Sequence, residues 1–193
     1  MLFRVFVFCL AIALWGLRRL EMPTPTVSPF CFLVIYPINV TDMSTSLSTI
    51  GMSLEAAAAS EVIAYYQYSV VTGVLRQLGY DHVADEFMRI AKDELDDHYL
   101  SLLGRMSAIS YVPSRLFNMS NLMGGLSPCA YDAPVAVENL PYLIGQNISA
   151  EECAIAAYTD ILSLPDIDSE TYDVVSGILE DEKTHKVDLA KLL

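Results

Sequence analysis

From residue 53 onward the chain repeats apolar positions every three to four residues, in four stretches separated by turn signals. The first, residues 53–78, is rich in alanine and free of proline, with the stripe Leu54, Ala57, Ala58, Glu61, Tyr65, Tyr68, Thr72 and Leu75. Ser53 suits its N-terminal cap and Gly79 its C-terminal one. The second starts at a capping Asp81, runs to about residue 109 and carries Phe87, Ile90, Ala91, Glu94, His98 and Leu102. The third covers about 140–164, with Pro141 tolerable in its first turn and Pro165 at its end. Its stripe is Ile144, Ile148, Glu151, Ile155, Tyr158 and Leu162, and Gly145 and Asn147 leave room for a break near Ser149. The fourth starts at Asp168 or Ser169 and reaches the C-terminus along Val175, Ile178, Glu182, His185 and Leu189.

Short links inside each pair make the first two stretches, and the last two, antiparallel neighbours. Residues 111–138 hold Pro113, Gly124, Gly125, Pro128 and Pro134 and no helical period. That is a long crossover between two hairpins, and the expected fold is all-α, a four-helix bundle. The hairpins repeat one another. Glu61 and Tyr68 are seven residues apart, as are Glu151 and Tyr158, and each second helix has a His just after its Glu.

Ionised groups do not point into a core unless the core needs charge. Here each helix brings one inward carboxylate: Glu61, Glu94, Glu151 and Glu182; the second and fourth add His98 and His185. That donor set suits two iron or manganese ions bridged by carboxylates, with all six residues as ligands and catalytic groups. Without cations the four carboxylates would repel one another, and some would stay protonated. Glu182 and His185 are three residues apart, but Glu94 and His98 are four apart. Either Asp97 replaces Glu94, or a one-residue π-bulge restores the geometry; Glu94 ranks first. Tyr68 and Tyr158 are expected in the core, with hydroxyls able to bond a ligating carboxylate. Glu152 is expected off the ligand stripe, and Glu180, Asp181 and His82 are expected at the surface.

Composition narrows the function. Residues 51–193 carry eight Lys/Arg against twenty-two Asp/Glu, a charge that repels phosphate backbones, so direct nucleic-acid contact is not expected. Residues 1–52 differ from the rest. Residues 5–17 form an unbroken apolar run, too short for a bilayer-spanning helix and followed by Arg18 and Arg19. A second run, 30–38, is broken by Pro37, and 41–49 is rich in Ser and Thr and reads as linker. This segment is an anchor, a targeting segment, or a leader outside the working protein, with the start at Met43 or Met52. The last reading is favoured because the folded pattern begins cleanly at Ser53, which divides the chain into residues 1–52 and a helical domain 53–193. The expected location is the cytoplasm, with membrane attachment through residues 2–17 only if that segment is retained. The four cysteines, Cys9, Cys31, Cys129 and Cys153, contain no Cys-x2-Cys pair of the zinc type.

The repeated Glu-x6-Tyr, with Glu and His following on the second helix of each hairpin, resembles the ferritin-like di-iron carboxylate superfamily from residue 53 to the C-terminus. Within it, Ser127-Pro128-Cys129 at the end of the crossover, and Cys153 two residues after Glu151, resemble the Dps-like ferritins called thioferritins. These are bacterioferritin-like around the metals and carry a cysteine pair nearby. The resemblance implies a homo-oligomeric, twelve-subunit shell that oxidises Fe(II), preferably with hydrogen peroxide or else dioxygen, stores the Fe(III) mineral and limits oxidative stress. It implies two Fe ions per subunit (manganese is the alternative), with Cys129 and Cys153 redox-active or disulfide-bonded. Two other readings stand: a rubrerythrin-type peroxidase without storage, and a non-catalytic bundle.

Overall fold

The computed structural model describes residues 40–193, apart from 130–132. The apolar runs before residue 40, with Cys9 and Cys31, lie outside the described residues. What is described belongs to one compact unit, Ile38–Leu193. Its elements are α1 (Val40–Gln77), α2 (Asp81–Lys92), a π-helical segment (Asp93–Tyr99), α3 (Leu100–Ala108), α4 (Met119–Asn121), a second π turn (Leu122–Leu126), α5 (Leu140–Leu162) and α6 (Ser169–Ala190). The π segment joins α2 to α3 without a break. The bundle therefore has four rods: α1, α2–α3, α5 and α6. No strand occurs among the described residues, and none of their helices is long and apolar enough to cross a membrane.

The first helix begins at Val40, well before the expected start, and Ser53 lies inside it rather than at its cap. Nothing between residues 40 and 50 breaks a helix, since neither Pro nor Gly occurs there. Ile50, 1 % exposed, already packs with Leu54. Gly51 has its own reason: a Cβ at this position would lie 2.2 Å from the Tyr111 ring, so only glycine lets that ring rest on α1. At the other end Gly79 adopts φ +82°, with Gly79 N bonded to Arg76 O and Tyr80 N to Leu75 O, the double closure of a left-handed cap. Asp81 sits in the first turn of α2 rather than capping it; Tyr80 holds the cap position, without a side-chain bond.

No break occurs in α5, where Asn139 caps the helix by accepting from Tyr142 N at 3.1 Å. Asp168 caps α6, its Oδ1 accepting from Thr171 N at 2.9 Å. Arg105 on α3 donates to Asp168 Oδ1 and to Thr171 Oγ1, both at 2.6 Å, which pins the fourth rod to the second.

The crossover is anchored at both ends. Near its start the buried Glu55 of α1 accepts from Tyr111 Oη, Arg115 N, Arg115 Nε and Leu116 N. Near its end Cys129 forms a disulfide with Cys153 of α5, with Cα atoms 5.8 Å apart. Ser127 Oγ also lies 2.7 Å from Ser60 Oγ on α1.

The apolar core is in two parts. One gathers Leu54, Ala58, Leu102, Ala154 and Ile178; the other gathers Ala64, Tyr68, Ile90, Ala91, Ile144 and Leu189. Along every rod the inward acid falls between a residue of one part and a residue of the other. The acids thus form a polar layer sealed above and below by apolar packing.

Candidate metal centre

Glu61, Glu94, Glu151, Glu182, His98 and His185 are each at most 2 % exposed. Their ligand atoms form two groups, within each of which all atoms lie inside 4.8 Å: Glu61, Glu94, His98 and Glu182, and Glu94, Glu151, Glu182 and His185. Glu94 and Glu182 belong to both. Each aims one oxygen at each imidazole. Glu94 Oε2 is 2.9 Å from His98 Nδ1, and Oε1 is 3.3 Å from His185 Nδ1. Glu182 Oε1 is 3.4 Å from His98 Nδ1, and Oε2 is 3.5 Å from His185 Nδ1. The imidazole rings stand 5.6 Å apart, 29° from parallel.

The π segment makes this possible. A π turn holds about one residue more than an α turn, so a spacing of four there sets two side chains much as a spacing of three does in an α-helix. The segment Asp93–Tyr99 spans both Glu94 and His98 and turns both inward. Asp97 is exposed, takes its bond from Ser101 Oγ and stands outside both groups.

The outer acids are tied by a reciprocal pair of tyrosines. Tyr68 on α1 donates to Glu151 Oε1 on α5, and Tyr158 on α5 donates to Glu61 Oε1 on α1. The far nitrogens of the imidazoles face two aspartates that the sequence pattern had not singled out. His185 Nε2 lies 3.4 Å from Asp93 Oδ2, and His98 Nε2 lies 3.5 Å from Asp181 Oδ2. Asp181, expected to face only solvent, is half-exposed and also reaches inward. The signal was present: an Asp-Glu dipeptide recurs at Asp93-Glu94 and Asp181-Glu182. Glu55 carried no such signal, because only the folded crossover covers it. Glu152 is exposed and pairs with Lys186 at 2.8 Å.

The electrostatics are those of a crowded, dry site. Burial pushes the Glu61 carboxyl up, and the charges of Glu182 and Glu94 push it further. Burial, then Glu94 and Glu182, do the same to Glu151. Burial would lower the His185 imidazole, but the carboxylates of Glu182 and Glu94 beside it outweigh that and raise it to about 10. His98 is raised by Glu182, Glu61 and Glu94 against the same burial. Burial works against Glu94, yet His185 and His98 hold its carboxyl low. The two oxygens of Glu182, Nδ1 of His185 and Nε2 of His98 are buried without any hydrogen bond. Orphaned donor atoms on two rods, grouped with carboxylates from the other two, are the mark of a cation site. Carboxylate and imidazole donors are of the kind that hold iron or manganese.

No family model matches the chain, and no curated protein does. Among solved structures the chain is similar to a dodecameric thioferritin, the bacterioferritin-related protein of Bacteroides fragilis. The similarity has a TM-score of 0.68 at 29 % identity and covers 79 % of this chain and 90 % of that one. The chain is ferritin-like, and the resemblance to the Dps-like thioferritins that its sequence carries is borne out.

Proposed function

We propose that the chain is a di-iron ferroxidase of the Dps-like ferritin type, which oxidises Fe(II) with hydrogen peroxide or dioxygen and stores Fe(III) in a twelve-subunit shell. One observation carries the reading: Glu94 and Glu182 each divide their two oxygens between His98 and His185. Both carboxylates would thus be able to serve two cations at once. Glu61 and His98 then complete one position, and Glu151 and His185 the other. Glu94 rather than Asp97 serves the second rod. Two Fe(II) taken up as substrate would supply the two electrons that reduce one hydrogen peroxide to two waters, with two protons balancing the reaction. Manganese fits the same donors.

The protein's part is to position and to exclude. Tyr68 and Tyr158 fix the outer carboxylates, and the hydrogen bond between His185 Nε2 and Asp93 orients that ring. The two apolar layers keep bulk water away. The Cys129–Cys153 disulfide lies two residues from Glu151 and is read here as a redox couple. It also favours a second reading, a peroxidase that draws electrons through those thiols and stores no mineral.

Iron loading of the full chain separates these readings. A mass near twelve copies with a retained Fe(III) core supports storage; a small oligomer that consumes peroxide without retaining iron supports the second reading. Glu61→Ala and His185→Ala are each expected to lower Fe(II) oxidation by at least about a hundredfold with helix content unchanged. Wild-type rates in both variants would defeat the assignment.

A further inference from the structure

The two sulfurs of the disulfide do not face the same surroundings. Cys129 is 4 % exposed, held by the crossover, with its N bonded to Ser127 Oγ at 3.0 Å. Cys153 is partly exposed on α5. One turn further along α5 is a cleft of about 200 Å³ between α1 and α5, lined by Ala56, Ala57, Pro128, Ala157 and Ile161 with the exposed Asp160, but by neither cysteine. Pro128 connects the two features: it walls the cleft, and its carbonyl oxygen is 3.9 Å from Cys153 Sγ. Thiol–disulfide exchange depends on which sulfur a thiolate can reach in line with the S–S bond.

We infer that Cys153 is the sulfur at which a dithiol reductant enters, docking on the side of this cleft, and that Cys129 is the leaving thiol. The attacking thiolate forms a bond to Cys153 Sγ as the Cys129–Cys153 bond breaks, and the electron pair goes to Cys129 Sγ, which takes up a proton. The reductant's second thiolate then attacks its own bound sulfur and releases Cys153. Two electrons pass from the reductant, which ends as a disulfide. A buried thiol is a poorer leaving group than an exposed one, but access decides here, because a thiolate cannot approach Cys129 without displacing the crossover. Asp160 and the acidic body of the chain select the partner: a dithiol protein whose contacting face is neutral or basic.

This rests on the redox role proposed above, but its test needs no iron. The full oxidised chain is treated briefly with cysteamine or with 2-mercaptoethanesulfonate, and the released thiol is trapped with iodoacetamide. The modified cysteines are then located by peptide mass spectrometry, with the peptides of Cys9 and Cys31 read separately. The expected product carries the small thiol on Cys153 and the alkyl group on Cys129. Each rate is divided by that thiol's rate on an uncharged disulfide. Cysteamine should then lead by roughly threefold at low salt, and the lead should shrink in high salt and in Asp160→Asn. The small thiol on Cys129, an even mixture, or no reaction in the folded chain overturns the sulfur order; no charge preference overturns the approach from the side of the cleft. Loss of Fe(II) oxidation would instead count against the proposed function and leave the sulfur order standing.

Discussion

Asp168 shows at the scale of one residue how a polar contact becomes a pH dependence. Burial pushes its carboxyl up, but the Thr171 hydroxyl and amide and the Arg105 guanidinium outweigh that and hold it well below the usual range. In the unfolded chain the group titrates near 4. A carboxyl depressed in the fold adds its full stability above that value and loses it as the pH falls from there through its lower value in the fold. Asp168→Asn is therefore expected to cost about 1 kcal/mol above roughly pH 5, with the difference from wild type closing towards pH 2. Urea unfolding of both proteins at several pH values reads this directly, and a gap undiminished at low pH refutes it. Asp168 was legible from sequence as one of two candidate caps. Its tie to Arg105, 63 residues away, was not, because that partner comes from packing.

Among the elements, the π segment carries the most function. A spacing of four between Glu94 and His98 looks like a departure from the fourth rod, where Glu182 and His185 are three apart. The extra residue is taken up in Asp93–Tyr99, and the registers on either side survive: Ile90 and Leu102 are both fully buried. A chain lacking Asp97 should then revert to plain α-helix with a Glu-x-x-His spacing. We expect it to keep Fe(II) oxidation within about threefold of wild type and to unfold at higher urea, since π turns are poorly populated outside functional sites. Loss of oxidation with the helices intact would show that the bulge does more than restore register. The start of α1 makes the opposite point. Ser and Thr between residues 41 and 49 suggested linker on propensity, but propensity is a weak prior, and the burial of Ile50 and Leu54 carries the helix through.

For the whole molecule, the polar layer between two apolar ones is a liability until something offsets its charge. Four acids and two imidazoles in the bundle centre are balanced only by each other, and Glu182 keeps two orphaned oxygens there. Cations that bind the folded state alone stabilise it by mass action, about 2.7 kcal/mol at a hundred times the dissociation constant. Anaerobic Fe(II) or Mn(II) is accordingly expected to raise the melting temperature of the wild-type protein by several degrees, and chelator to reverse it. Glu182→Ala, which removes a donor common to both groups, should show little of either effect. An equal rise in that variant would mean that the ions bind elsewhere, on the acidic surface.

The sequence by itself determined the four rods, the acid each brings inward, the two histidines and the crossover. These follow from a 3.6-residue period that marks one buried face per helix, and an acid on that face stands out against its apolar neighbours. Only the tertiary structure decided which oxygen faces which imidazole, that each tyrosine serves the other hairpin's acid, and that Asp93 backs His185. It also decided that Glu55 is buried. Those facts depend on contacts between rods, and periodicity along one rod says nothing of what stands opposite it.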